Sequence, residues 1–298
     1  MMKRLISSNA SDILSYNSKE LKQSIKASEG RTILSENVAT REAWIGDITN
    51  SELARAFGAD LILLNGVDVL NPDIKGIENQ SNFVSELKKL TGRPIGVNLE
   101  PVDDSADMME DVIKISLGRT VNKESLERLQ ELGMDFVCFT GNPGTGVTNK
   151  NILNAIKLSK KYYNGLIIAG KMHTSGVDEP VCDENTIKEF VKAGADVILV
   201  PSIGTIQGFD QEQLKEACKF AHKEGALVMT AIGTSQEGSR PETIREMAIQ
   251  NKICGADIQH IGDAGFSGLA PVENIFEMSI AIRGYRHTVS MIARSINR

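Results

Sequence analysis

Cysteine is scarce in this chain of 298 residues. Cys138, Cys182, Cys218 and Cys254 lie far apart with no C-x-x-C pair, which excludes a zinc knuckle and a disulfide framework. Proline and glycine, at 8 and 26 residues, are too few for a low-complexity linker protein. No apolar run reaches the ~18 residues that a membrane span needs, and the opening MMKRLISSNASD has no signal-peptide apolar segment. Basic residues are in deficit: the net charge is −6, whereas neutralising nucleic-acid phosphates takes a basic face. The expectation is a soluble, cytoplasmic protein with neither membrane nor nucleic acid as partner.

What is present is globular. Hydrophobic residues at 41% and charged residues at 24% rule out a disordered or fibrous chain. The length is close to that of a closed α/β barrel, near ~250 residues before additions.

One phrase recurs. Gly58-Ala59-Asp60-Leu61, Gly133-Met134-Asp135-Phe136, Gly194-Ala195-Asp196-Val197 and Gly255-Ala256-Asp257-Ile258 each close a helical pattern and open an apolar run. Glycine just past a helix end adopts the left-handed conformation without a Cβ penalty. The glycines lie 75, 61 and 61 positions apart, about two βα units of ~30 residues. A further apolar run sits midway in each gap. The strands expected are therefore Thr32–Asn37, Asp60–Asn65, Pro94–Glu100, Asp135–Thr140, Gly165–Lys171, Asp196–Pro201, Ala226–Ile232 and Asp257–Ile261. Between them run amphipathic helices, such as the one capped by Asn122 with Leu126, Leu129 and Leu132 on one face. At this length eight such units favour a (βα)8 TIM barrel over an open, doubly wound sheet. Residues 1–30 read as an N-terminal helical extension plugging the bottom, and 31–298 as one barrel domain. After the eighth strand Pro271–Ile296 is helical with an interruption near Gly284, its last part either a homo-oligomer contact or a helix on its own barrel. The long loop from Val102 to Val121 carries Asp103, Asp104, Asp107, Glu110 and Asp111 and is either a lid or a solvated acidic loop.

A barrel enzyme works at the carboxyl ends of its strands. Residues two apart share a strand face, which aligns Gly96, Asn98 and Glu100, then Phe136, Cys138, Thr140 and Asn142, then Ile167, Ala169, Lys171 and His173. Asn65, Ser202, Thr230 and His260 complete the inward set. In each strand the polar member comes last. Glu100, Lys171, His173 and His260 are expected to be catalytic, because charges buried there must meet water, ligand or one another. Gly233 and Thr234 after the seventh strand, with Gly262, Asp263 and Gly265 after the eighth, make either an anion cradle or simply tight turns.

The run Arg93-Pro94-Ile95-Gly96-Val97-Asn98-Leu99-Glu100 with Asp103 and Asp104 resembles the third-strand segment of the phosphoenolpyruvate mutase/isocitrate lyase superfamily. The phrase Ala193–Pro201 is similar to that family's sixth strand, and Ile168-Ala169-Gly170-Lys171 sits where the family places an arginine that grips a substrate anion. The likeness runs from about Asn37 to Met229. Asn98 stands where a metal-binding aspartate is expected, Lys171 replaces the arginine, and the family's lysine–cysteine catalytic loop is absent. The resemblance implies a barrel lyase or isomerase acting on a small phosphorylated or carboxylated metabolite. It also implies Mg²⁺ held by Glu100 with Asp103 or Asp104, and no organic cofactor. Lys171 would anchor the anion, with His173 or His260 as acid–base. Three alternatives stay open: a Schiff-base aldolase using Lys171, a metal site built from Glu100, His173 and His260, and a non-catalytic barrel that binds a phosphosugar.

Overall fold

The computed structural model describes residues 3–109 and 111–298; Glu110, one of the acids of the long loop, lies outside them. Eight parallel strands close on themselves in sequence order. They are β1 Thr32–Val38, β2 Leu61–Asn65, β3 Ile95–Leu99, β4 Phe136–Phe139, β5 Leu166–Gly170, β6 Val197–Pro201, β7 Leu227–Ile232 and β8 Ile258–Ile261. Each matches an expected strand to within a residue or two. Two helices precede the barrel, α1 Ala10–Leu14 and α2 Ser18–Lys26. Between the strands lie α3 Asn50–Ala56, α4 Phe83–Thr91, α5 Lys123–Leu132, α6 Asn149–Tyr162, α7 Glu184–Ala193, α8 Gln211–Lys223 and α9 Pro241–Cys254. Last comes α10, Val272–Ala293, broken at Gly284 by φ 74 and ψ 165.

The recurring Gly-x-Asp phrase has a physical explanation in the structure. Gly58, Gly133, Gly194 and Gly255 all take positive φ, as the helix ends require. The aspartate two positions on turns back and accepts the backbone N–H of the first or second residue of the preceding strand. Asp60 accepts from Ile33 at 2.8 Å, Asp135 from Ile95 at 2.8 Å, Asp196 from Ile167 at 3.1 Å and Asp257 from Val228 at 2.8 Å. Each carboxylate also meets a basic side chain: Arg283, Lys88, Lys22 and His222 respectively. The repeat therefore stitches the strands in pairs at the barrel's lower rim, which is why it recurs once per two βα units.

The core has two layers. Outward strand residues such as Ile33, Ile62, Val97, Val137, Ile198 and Val228 pack beneath the helices. Inward residues such as Leu34, Leu63, Phe136, Ile168, Leu199 and Met229 fill the barrel, and Leu5, Ile13, Leu21 and Ile25 of the N-terminal segment join them from below. Gly96 leaves the room that Phe136 needs, since a Cβ there would lie 2.3 Å from its ring. The bottom is thus sealed, and open space is left at the top. No described helix is long and apolar enough to cross a membrane.

Candidate active site

The cavity at the carboxyl ends of the strands holds about 530 Å³. Asn65, Asn98, Thr140, Asn142 and His173 line it, as do Gly233, Thr234, Gly262 and Asp263. Two further acids, Glu36 and Glu237, complete its wall. Neither was expected from the sequence. Glu36 could have been found, because Leu34 and Glu36 follow the same small-step alternation that marked the other strands. Glu237 lies in a short 3-10 turn after β7 and carries no periodic signal.

On the β8–β1 side the groups are unusual. His260 Nε2 lies 2.8 Å from Glu36 Oε2, with both side chains buried. Burial, together with the nearby charges of Glu237 and Glu100, pushes the Glu36 carboxyl up to about 8. Burial pulls His260 down to about 4. At neutral pH the pair therefore carries no net charge: Glu36 keeps its proton and donates it to the imidazole. Nδ1 of His260 has no hydrogen-bond partner. Beside them, burial and the neighbouring Glu36 raise Asp263 to about 7, and Asn65 Nδ2 donates to it at 2.8 Å. Glu237 Oε1 accepts the backbone N–H of Ala264 at 2.9 Å, while its Oε2 is buried and unpartnered.

The β2–β4 side is a chain of amides. Asn65 Oδ1 accepts from Asn98 Nδ2 at 3.3 Å and from Asn142 Nδ2 at 3.1 Å. Asn142 passes the chain to Glu100, through Nδ2 and its backbone N–H, both at 2.8 Å. His173 Nδ1 accepts the Ser175 backbone N–H at 2.9 Å, so the ring proton sits on Nε2. Burial and then Lys171 hold this imidazole below its ordinary value. It is a neutral N–H donor at the cavity wall.

Other expected positions lie elsewhere. Lys171 does not point into the barrel. In β5 it is Leu166 and Ile168 that face inward and Ile167 and Ala169 that face the helices. Lys171, past the strand end, is fully buried in an ion pair with Glu179, which also accepts the first N–H of α6 from Asn149 at 2.6 Å. Burial lowers its pKa, against the opposing pull of Glu179. Ser202 and Thr230 are outward too. Ser202 accepts from Asn251 of α9 at 2.8 Å, and Thr230 donates to Gln259 at 3.3 Å. The physical reason is shared: parallel strands are apolar on both faces, so alternation shows which residues share a face and not which face looks in. A shift of one residue then exchanges the two sets. Gly265 is a packing glycine, since a Cβ there would lie 2.1 Å from the Leu269 carbonyl oxygen.

The expected magnesium donors do not converge. Glu100 is held by Arg119 at 2.9 Å and by Asn142, and Asp103 by Ser105 and Thr148. Asp104 is exposed. The set Glu100, His173 and His260 fares no better, because His260 turns to Glu36. Among the described residues no three His, Cys, Asp or Glu side chains are grouped to hold a metal ion. The long loop is fastened over the cavity edge, with Met109 donating to the Gly176 carbonyl at 2.9 Å and Ile113 to that of Gly144 at 2.8 Å.

The chain belongs to the family described as Domain of unknown function (DUF7916), which it matches over residues 6–298. No curated protein matches it. Among solved structures it is similar to one from Coccidioides immitis named provisionally as a fructose-1,6-biphosphate aldolase. The identity is 15%, the coverage 94% of this chain and 97% of that one, and the TM-score 0.52. It is similar to phosphoenolpyruvate phosphomutase from Streptomyces platensis subsp. rosaceus at 12% identity, covering 82% and 80%, with a TM-score of 0.50. An oxaloacetate acetylhydrolase solved with its product oxalate gives 12%, 82% and 79%, also at 0.50. A phosphoenolpyruvate phosphomutase is among these structures, so the distant resemblance read in the sequence stands at the level of the fold. At such identities what is shared is the barrel fold.

Proposed function

We propose that this DUF7916 barrel is a lyase or isomerase that moves a proton on a small oxygen-rich metabolite bound at the carboxyl ends of its strands. The observation that carries the reading is the Glu36–His260 pair: a buried carboxyl, raised to about 8, that lines a 530 Å³ cavity and is bonded to a neutral imidazole. A group that holds its proton near neutral pH and can still release it is matched to general acid–base work. Asp263, at about 7, offers a second such group across the same wall. Two carboxyls of different pKa facing one space can divide the roles, one giving a proton while the other takes one. His173 Nε2–H stands where it could steady a developing negative oxygen, and the Asn65–Asn98–Asn142 chain would orient substrate hydroxyl or carbonyl groups.

Solved barrels of this fold carry the names of an aldolase and a phosphomutase, which supports the class and not the substrate. The reading uses neither magnesium nor a Schiff base. Glu100 and Asp103 are committed to protein partners, Asp104 is exposed outside the cavity lining, and Lys171 faces away from the cavity in its pair with Glu179.

The test is hydrogen exchange in D₂O. The protein is incubated with a panel of small hydroxy, oxo and amino compounds, and loss of carbon-bound protons is followed by NMR. The wild type should exchange at least one compound, and Glu36→Gln should slow that exchange by about 10²–10⁴-fold while still binding it. Full exchange by Glu36→Gln would remove the pair from the mechanism. Ligand binding with no exchange anywhere in the panel would leave a barrel that binds without catalysing.

A further inference from the structure

The charge at the barrel mouth has the wrong sign for the phosphorylated or carboxylated substrate that the sequence suggested. Three carboxyls, Glu36, Glu237 and Asp263, line the cavity, and no lysine or arginine does among the described residues. The one cation that could have served, Lys171, is spent on Glu179.

The place where a phosphate would be cradled is already filled. Loops after the seventh and eighth strands of a barrel usually offer backbone N–H groups to a phosphate. Here Glu237, from the loop after β7, reaches across to the loop after β8, where its Oε1 accepts the Ala264 N–H at 2.9 Å. Gly262 is the glycine that permits this approach, because a Cβ there would lie 2.8 Å from the same oxygen. The cradle holds the protein's own carboxylate, and a phosphate brought beside it would meet Glu237 and Asp263 at close range.

Among the described residues that line the cavity, the buried atoms left unsatisfied are all oxygens. Glu237 Oε2 and Asn98 Oδ1 are buried without hydrogen-bond partners, as is the hydroxyl of Thr140. All three residues line the cavity and are at least nine-tenths buried. A buried carboxylate oxygen left unpaired is costly, and a donor that also carries positive charge offsets that cost best. A protonated amine supplies three N–H donors on one small centre and no acceptor. We infer that the substrate of this site is a hydroxylated metabolite that carries a protonated amine and no phosphate, the ammonium lying against Glu237. This rests on the acid–base reading for the site being catalytic, but its binding test stands alone.

The test compares three matched series by calorimetry and thermal shift. Serinol and glucosamine are the amines, glycerol and glucose the neutral counterparts, glycerol 3-phosphate and glucose 6-phosphate the anions. The amine should bind more tightly than its neutral counterpart, and the phosphate should not compete. Glu237→Gln keeps an oxygen for the Ala264 N–H and should weaken amine binding by about tenfold or more, with neutral ligands unaffected. Asp263→Asn, which leaves that oxygen untouched, should weaken amines in the same direction. The inference is overturned if phosphates bind as well as amines, if no amine binds, if the neutral compounds match the amines, or if neither variant changes amine affinity. The two readings fail separately. Amine binding without hydrogen exchange removes the acid–base reading alone, whereas exchange on a phosphorylated compound removes the amine alone.

Discussion

The two sides of the barrel mouth bury ionisable groups in opposite ways. On the β3–β5 side Glu100 meets Arg119 at 2.9 Å, and Lys171 meets Glu179. Each charge has a counter-charge, and each carboxylate accepts further hydrogen bonds. On the β8–β1 side Glu36, Glu237 and Asp263 face one another with a neutral imidazole and no cation, so Glu36 and Asp263 retain protons up to about 8 and about 7. A buried charge with its partner is architecture: removing either member costs more than the pair is worth. Buried acids without a partner are poised to exchange protons or to receive a cation. The conspicuous ion pairs of the β3–β5 side are thus the structural ones.

The largest effect that would break this comparison is expected at Lys171. Lys171→Met leaves Glu179 facing the start of α6 without its cation, and should lower unfolding free energy by about 3 kcal/mol. Denaturant titration measures it. Ligand affinity at the mouth should stay unchanged, and Lys171→Met combined with Glu179→Met should recover much of the loss, since the pair is replaced by apolar volume. A Lys171→Met protein of native stability that had lost ligand binding would return the lysine to the site.

Why Lys171 drew attention in the sequence while Glu36 did not is a matter of strand phase. The fold was almost fully legible, because the Gly-x-Asp phrase is repeated chemistry, a left-handed helix end plus a carboxylate for a strand N–H, and such chemistry is local. The amides were legible as well: Asn65, Asn98 and Asn142 are polar residues at strand ends, and they do line the cavity. Beyond the strand ends legibility fails. Ile167, Ala169 and Lys171 alternate as cleanly as Leu166 and Ile168 do, and nothing apolar about either set says which looks inward. Glu237 was invisible for another reason: its place on the wall depends on a contact with Ala264 across two loops, a tertiary distance that spacing along the chain does not encode. The same holds for the counter-charges Arg119 and Glu179, each remote from an alternation pattern.

A smaller effect sharpens the other half of the comparison through pH. The folded-state pKa of Glu36 is raised, from an ordinary 4.5 to about 8, so folding favours its protonated form. Its contribution to stability is complete below about 4.5 and is lost as pH rises towards 8. Asp263 adds a slope of the same sign between 3.8 and about 7, so the difference between wild type and variant is the quantity to read. Glu36→Gln cannot ionise and keeps an N–H donor for His260. At pH 8 it should be more stable than wild type by about 1–3 kcal/mol, with the advantage vanishing below pH ~5. Melting curves across that range test it; a constant difference at every pH would mean that Glu36 is ionised throughout.

The smallest effect is the most direct comparison of the two sides. Arg119→Met removes the cation from Glu100 but leaves both Asn142 bonds in place. Because Arg119 is partly exposed, at 28% of its side chain, the loss should be only about 1 kcal/mol at neutral pH. The double variant with Glu100→Gln is the informative part. If counter-charge is what separates the two halves, adding Glu100→Gln to Arg119→Met should recover much of the loss, because it removes the acid that the arginine left without a partner. Denaturant titration of the single and double variants measures it. A double variant no more stable than Arg119→Met would place the difference in the Asn142 hydrogen bonds rather than in the arginine, and the amide chain, not the ion pair, would then be what holds Glu100 in place.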